Sequence, residues 1–437
     1  MSKKILIIAQ LSSILFSCGS SSYDKRSNTT IKSQLDREIV RELSDKTPCE
    51  KDSTEHHCEM ITIGFNSGDY SETKYKVLVI ENGGLLPSLT SYRKRVFAHA
   101  KMDENGFYRY HEPEIVLPRG AAKILYDLRG GRVEAKASDV STQTLYDFED
   151  IYADQISEDY LGHGQGVFNI LAEYTEDTGF AIANHTLPRQ HFCRLDYDGL
   201  TSYMDNASLS LKDFIKDNGI QFINLSAGES VPFYKRVWKS WCPNVQMPSD
   251  VEINKFLGIT KTYYKTLANI PGVTLVQAGS NTTHNQRDYP VDCSDEGFTN
   301  RIRASYVNAL ESDIDEFGLS GRFGDTSRYI DTMHRGSKCI DIYLNSGIDE
   351  SRRPFKYGSH PMMTTDFGIG LIEHYTKMTT SFIAPLATAY AIFIYDTENL
   401  ESHDEQDKIG EVIKNIMNND GNTIVRDPLK HKQFIRK

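Results

Sequence analysis

Strand-length apolar runs recur along this chain, and they constrain its fold more than any other feature. The first begins at Lys76 and continues Val77-Leu78-Val79-Ile80, and similar runs span Ile220 to Leu225, Val273 to Ala278 and Ile340 to Leu344. Continuous apolarity over so few residues is what a parallel strand buried on both faces requires. Helical patterns lie between several of these runs. One covers Ser208 to Asn218 and is stopped by Gly219, a residue suited to the left-handed position that ends helices. Another follows the capping pair Ser249-Asp250, places Val251, Ile253, Phe256 and Leu257 with near-helical periodicity, and breaks at Pro271-Gly272. Strand, helix, strand in this order predicts an α/β fold with a mostly parallel central sheet and helices on both faces. In such sheets ligands bind outside the carboxyl ends of the strands, so the residues just after each run are where chemistry is expected.

Length and charge narrow the function. The 437 residues are 39% hydrophobic and 25% charged, enough apolar material for a large core. Forty-nine basic against 60 acidic residues give a formal charge of −11, which argues against a nucleic-acid partner. At the start, Lys3 and Lys4 precede an apolar run from Ile5 through Phe16, too short to span a bilayer, and this reads as an export signal. The following Leu15-Phe16-Ser17-Cys18-Gly19 resembles the lipobox of bacterial lipoproteins. That resemblance implies cleavage before Cys18, lipidation of its thiol and attachment to a membrane, with Gly19 favouring the outer one. An ordinary secretory signal with an incidental cysteine is the plainer alternative. The expected organisation is a signal over 1–17, a lipidated tether or pro-segment over 18–74, the main domain over 75–400 with an insertion at about 85–160, and a C-terminal helix and tail over 401–437. Ile409, Val412, Ile413 and Ile416 mark that last helix. Removing Cys18 leaves Cys49, Cys58, Cys193, Cys242, Cys293 and Cys339, an even set that permits three disulfides and 15 connectivities. Cys49 and Cys58 are expected to close a local loop; His56 and His57 between them make a metal knuckle conceivable, though the short zinc spacing is absent.

Three strand or helix ends carry chemistry. Glu81-Asn82-Gly83-Gly84 follows the first strand; Gly162-His163-Gly164-Gln165-Gly166 opens a helix with Val167, Phe168, Ile170, Leu171 and Tyr174 on one face; Thr379-Thr380-Ser381 opens the apolar segment Phe382 to Ala387. A carboxylate, an imidazole and a hydroxyl are the parts that activate a serine nucleophile. In that chain order they resemble the subtilisin-like serine proteases. Val79-Ile80-Glu81-Asn82-Gly83 is similar to the family's Val-Ile-Asp-x-Gly, His163-Gly164-Gln165-Gly166-Val167 to its His-Gly-Thr-His-Val, and Thr380-Ser381-Phe382-Ile383-Ala384-Pro385 to its Thr-Ser-Met-Ala-x-Pro. Ile223-Asn224-Leu225-Ser226-Ala227-Gly228 resembles the strand that pairs with substrate, and Leu275 to Asn281 the turn that carries the oxyanion donor.

The resemblance implies a three-layer subtilisin-like fold and a serine endopeptidase acting on protein or peptide substrates through an acyl-enzyme. Ser381 attacks, His163 moves the proton and Glu81 orients the imidazole. Ser226, Ala227 and Gly228 bind extended substrate, the glycine leaving room for a side chain. Asn281 donates to the oxyanion if the turn is one residue longer than usual; otherwise the hydroxyl of Ser280 does. No cofactor is implied and no metal motif is present.

Departures from the pattern bear on activity. Glu81 stands where the family has aspartate and reaches about 1.5 Å further, and Thr379 replaces a glycine beside the nucleophile. Asp127 and Asp147 are alternative acids, neither after a convincing strand. The rival reading is therefore an impaired scaffold that binds peptides or surfaces without cleaving them. A lipase or esterase is disfavoured because Asn224-Leu225-Ser226-Ala227-Gly228 lacks the first glycine of a nucleophile elbow. A nucleotide site at Gly162-His163-Gly164-Gln165-Gly166 or Gly368-Ile369-Gly370 is disfavoured because neither has the complete glycine spacing or follows a clear strand.

Overall fold

A computed structural model describes residues 58–61, 73–81, 85, 95–109, 115–118, 163–175, 177–185, 187–279, 289–309, 329–331, 339–345, 380–417 and 425–426. Its centre is a ten-stranded, mostly parallel sheet. In chain order the strands are β1 (Cys58–Ile61), β2 (Tyr75–Glu81), β3 (Val96–Asp103), β4 (Gly106–Arg109), β5 (Ile115–Pro118), β6 (Thr178–Asn184), β7 (Phe222–Leu225), β8 (Thr274–Ala278), β9 (Arg301–Ala309), β10 (Tyr329–Asp331), β11 (Ile342–Asn345) and β12 (Val425–Arg426). The main sheet runs β12-β11-β9-β8-β7-β2-β6-β3-β4, and β10 adds to β9. Strands from β12 through β3 are parallel; β4 and β10 join antiparallel.

The helices are α1 (His163–Glu173), α2 (Arg189–Arg194), α3 (Tyr197–Asp217), α4 (Val231–Trp241), α5 (Asp250–Ala268), α6 (Thr380–Thr397) and α7 (Ile409–Met417). They cover both faces of the sheet. Val77, Val79, Phe180, Ile182, Phe222 and Val276 pack under α1, α6 and α7, while Leu78, Ile80, Ala181, Ala183, Ile223, Leu225 and Leu275 face α2 to α5. Alternation along each strand thus feeds two separate cores, as the period-2 geometry of a strand requires. The expected α/β layering is present.

Local signals explain the element boundaries. Ser249 caps α5 in a reciprocal capping box with Glu252. Asp196 caps α3, which begins well before the expected Ser208 because Leu200, Tyr203 and Met204 extend its buried face by two turns. Gly219 ends that helix at φ +62°, the conformation expected of it. Within α6, Pro385 sits inside a helix whose residues are nearly all buried.

Two expectations on organisation change. Within 85–160, read as an insertion over the cleft, Val96–Asp103 pairs in parallel with β6 and Gly106–Arg109 closes the sheet edge, so this stretch contains sheet. Within 18–74, read as a tether, Cys58–Ile61 pairs antiparallel with Ile115–Pro118 in a separate two-stranded sheet. In both, backbone pairing partners lie far along the chain, which local composition does not reveal. Disulfides join Cys193 to Cys242 and Cys293 to Cys339. Cys58 is also disulfide-bonded, with its partner outside the described residues. Among the described residues no helix is long and apolar enough to cross a membrane, and no group of residues could hold a metal ion. The signal region and Cys18 lie outside the described residues.

Candidate active site

Of the expected site residues, Glu81 ends one central strand, Ser226 to Gly228 follow another, and His163 and Ser381 stand in the first turns of two helices. Glu81 is the last residue of β2 and only 3% exposed. It follows Val77 and Val79 in parity, which places it on the sheet face that α1 and α6 cover. The adjoining strand end is held in register: the His185 N–H donates to the Glu81 carbonyl at 2.7 Å. His163 is the first residue of α1, and α1 packs against α6. The His163 side chain, like Ser280, Asn281, Thr379, Asp127 and Asp147, lies outside the described residues.

Ser381 is the second residue of α6. At 8% exposure it is the least buried side chain of that first turn, beside Thr380 at 1% and Phe382 and Ile383 at 0%. Position in a first turn puts its hydroxyl at the positive end of the helix dipole. Two contacts fix α6 over the strand ends. The Thr380 hydroxyl donates to the carbonyl of Gly279, immediately past β8. Thr388 Oγ1 lies 3.1 Å from Asn224 Oδ1, and Asn224 Nδ2 donates to Ser226 Oγ at 3.0 Å. A buried chain of hydroxyl and amide groups thus links the helix of Ser381 to the segment Ser226-Ala227-Gly228. Asn224 and Thr388 were not singled out as functional, although Asn224 stands inside the matched strand segment.

No protein-family model, curated protein or solved structure matches this chain.

The opposite face of the sheet carries a second polar group that sequence reasoning missed. Glu229 is buried and accepts from the phenols of Tyr234 and Tyr264, the latter at 2.6 Å. Burial pushes its carboxyl up against the pull of these two donors. Asp292 is buried beside it, takes the Gln277 Nε2 donor at 2.8 Å, and is pushed up to about 7 by burial. No local pattern marks Asp292, because its neighbours come from β7 and β8. Separately, an open cleft of about 790 Å³ is lined by Asp103, Arg189, Arg194 and Trp241 among others, with Cys193 and Cys242 in its wall. Glu81 and Ser381 are not among its lining residues.

His185 gives this region a pH signature. It is fully buried, stacks on Tyr263 with ring centroids 5.1 Å apart, and burial lowers it from 6.5 to about 4. Between those two values the unfolded chain binds a proton that the folded chain excludes, so His185 costs stability as pH falls through this window. The full effect is about 3 kcal/mol. Asp292 has the opposite sign, its contribution being present below 3.8 and lost as pH rises through about 7. The two slopes oppose each other in the native protein. Urea unfolding of His185→Gln against the parent at pH 7 and pH 4.5 is expected to show the variant gaining relative stability at the lower pH. Equal pH dependence of the two proteins would remove His185 from the account.

Proposed function

We propose that the chain is a serine endopeptidase of the subtilisin-like type, with Ser381 as nucleophile, His163 as general base and Glu81 as the group that orients the imidazole. The observation that carries this is the anchoring of Ser381's helix turn to Gly279, at the end of the strand leading into the segment that would supply the oxyanion donor. Glu81 lies on the same sheet face, two strands from β8, and the helix that begins at His163 packs on the helix that begins beside Ser381.

In this reading Ser381 Oγ attacks the peptide carbonyl as His163 takes its proton. The acyl-enzyme forms when the amine leaves with that proton, and water then repeats the sequence in reverse. Asn281 or Ser280 donates to the oxyanion, a contribution of about 3 to 4 kcal/mol for such a donor. Ser226 to Gly228 pairs with the extended substrate by backbone hydrogen bonds, and the Asn224–Thr388 contact keeps that segment aligned with α6. The Lys3 to Gly19 segment supports export and a lipid anchor at Cys18, which would hold the enzyme on a bacterial outer membrane facing its protein substrates; palmitate incorporation lost in Cys18→Ala tests it.

Fluorophosphonate labelling tests the chemistry. The purified protein is expected to become labelled at Ser381, and Ser381→Ala to remain unlabelled. A folded parent protein that stays unlabelled would instead support the peptide-binding scaffold, for which Glu81 and Thr379 are the sequence grounds.

A further inference from the structure

The open cleft of about 790 Å³ contains a bond that can be made and broken under mild conditions. Cys193 and Cys242 both line it, so the disulfide that joins α2 to the end of α4 borders open space. Cys193 is half-buried and Cys242 only 3% exposed, which makes Cys193 the more accessible end of the bond. A space of this volume is that of a small-molecule or short-peptide pocket. The disulfide between Cys293 and Cys339 does not line the cleft.

Two cations flank the Cys193–Cys242 bond. Arg194 follows Cys193 in the chain and Arg189 opens the same helix; both are exposed and both line the cleft. Arg189 Nε donates to the carbonyl of Trp241 at 2.9 Å, and Trp241 precedes Cys242, so that guanidinium is tied to the residue beside the second sulfur. Among the described residues neither arginine enters a salt bridge. The acids of the cleft, Asp103 and Glu104, come from the end of β3 and the turn after it. A disulfide is opened by a thiolate, an anion, and positive charge beside the sulfurs steers that anion toward them. Packing also holds α2 against α4 without the covalent tie. Phe192 meets Tyr234, Trp238 and Trp241 with ring centroids 5.6, 5.1 and 6.0 Å away.

We propose that the Cys193–Cys242 disulfide is a thiol-exchange site and that the cleft admits an anionic peptide thiol to it. The inference stands apart from the endopeptidase reading. The incoming thiolate attacks Cys193 Sγ, forms a mixed disulfide there and breaks the bond to Cys242 Sγ. The electron pair of that bond leaves with Cys242, whose thiolate takes a proton from water. No oxidant is consumed. Attack by the Cys242 thiolate on Cys193 Sγ restores the original bond and expels the peptide thiol.

Glutathione, a peptide thiol of net negative charge, and cysteamine, a cationic thiol, are the probes. The folded protein is incubated with each, free thiols are alkylated, and the adducts are mapped by peptide mass spectrometry. Rates are normalised to the same thiol's attack on hydroxyethyl disulfide, an uncharged reference. Glutathione is expected to appear on Cys193, with Cys242 alkylated and the Cys293–Cys339 bond intact. At low salt its normalised rate is expected to exceed that of cysteamine about tenfold. The gap is expected to close in Arg189→Gln/Arg194→Gln and, for the parent, in about 1 M salt. The salt series needs no variant, so it decides the charge claim even where the double variant fails to fold. Trp238 and Trp241, the chain's two tryptophans, both contact Phe192, and their emission is expected to stay native during exchange. A Cys293–Cys339 bond that opens as fast, cysteamine that matches glutathione at low salt, or exchange that proceeds only as the tryptophan emission shifts to that of the unfolded chain overturns the assignment.

Discussion

Glu81→Gln is expected to lower kcat about 10⁴-fold, the loss seen when a triad acid keeps its shape but gives up its charge. The substitution preserves length, so any loss reports on the carboxylate and its effect on the imidazole tautomer. Glu81→Asp shortens the side chain by about 1.5 Å while keeping the charge. It is expected to stay within about 100-fold of the parent or to exceed it. The direction of the aspartate result is informative in itself. A faster enzyme means that the site retains the spacing of a shorter acid, and a slower one means that β2 and α1 have adjusted to glutamate. Steady-state rates on a peptide substrate, measured beside fluorophosphonate labelling kinetics, supply the comparison. Equal rates for the glutamine and aspartate variants would deny Glu81 any orienting role.

Arg303→Met is expected to destabilise the fold by about 3 to 5 kcal/mol, because it strands a buried carboxylate. Arg303 Nε and Nη2 donate to the two oxygens of Asp341 at 2.9 Å each, and Nη2 also reaches Asp295 at 2.7 Å. The Arg303 backbone N–H adds a bond to Asp341 at 2.8 Å. Desolvation works against the Asp341 charge, but these bonds, with Lys414 nearby, outweigh it and hold the carboxyl below its usual range. Removing the guanidinium takes away the two short side-chain bonds, while Lys414 stands farther off at 3.9 Å. The double variant Arg303→Met/Asp341→Leu is expected to recover most of the loss, since replacing a whole buried pair by apolar groups is often close to neutral. Urea unfolding of the single and double variants decides it; a single variant within 1 kcal/mol of the parent, on the scale of an exposed ion pair, would mean that the pair is effectively solvated.

The same arginine shows why part of the fold was hidden in the sequence. β9 begins Arg301-Ile302-Arg303, an alternation that suggests a half-exposed strand, yet it lies between β8 and β11 with both arginines buried. Their partners, Asp292, Asp295 and Asp341, come from loops that only the folded chain brings near. β6 was hidden for a different reason. Thr178-Gly179-Phe180-Ala181-Ile182-Ala183-Asn184 is rich in small residues, so it lacks the bulky apolar run that announced β2 and β8. Its alanines leave room for large side chains of the facing core, among them Tyr203 and Met204 of α3. By contrast, β2, β7, β8, α5 and α6 were legible because their signals are local: continuous Val and Ile, a Ser-Asp cap, a glycine stop. In the candidate site, Glu81, Ser381 and Ser226 to Gly228 stand at element ends, positions that the sequence pattern already suggests. The hydrogen bonds of Thr388 with Asn224 and of Asp292 with Gln277 join residues distant in the chain, which no local pattern reveals.

Pro385 has a mechanical consequence for the turn that carries Ser381. It lies four residues beyond Ser381 and has no N–H, so the rung of the helix ladder that would tie down the Ser381 carbonyl cannot exist. That carbonyl is released from the axial lattice of α6, and the opening turn is also held from outside, where Thr380 is tethered to Gly279. The proline works as a joint, uncoupling the orientation of one hydroxyl from the stiffness of the long apolar rod behind it.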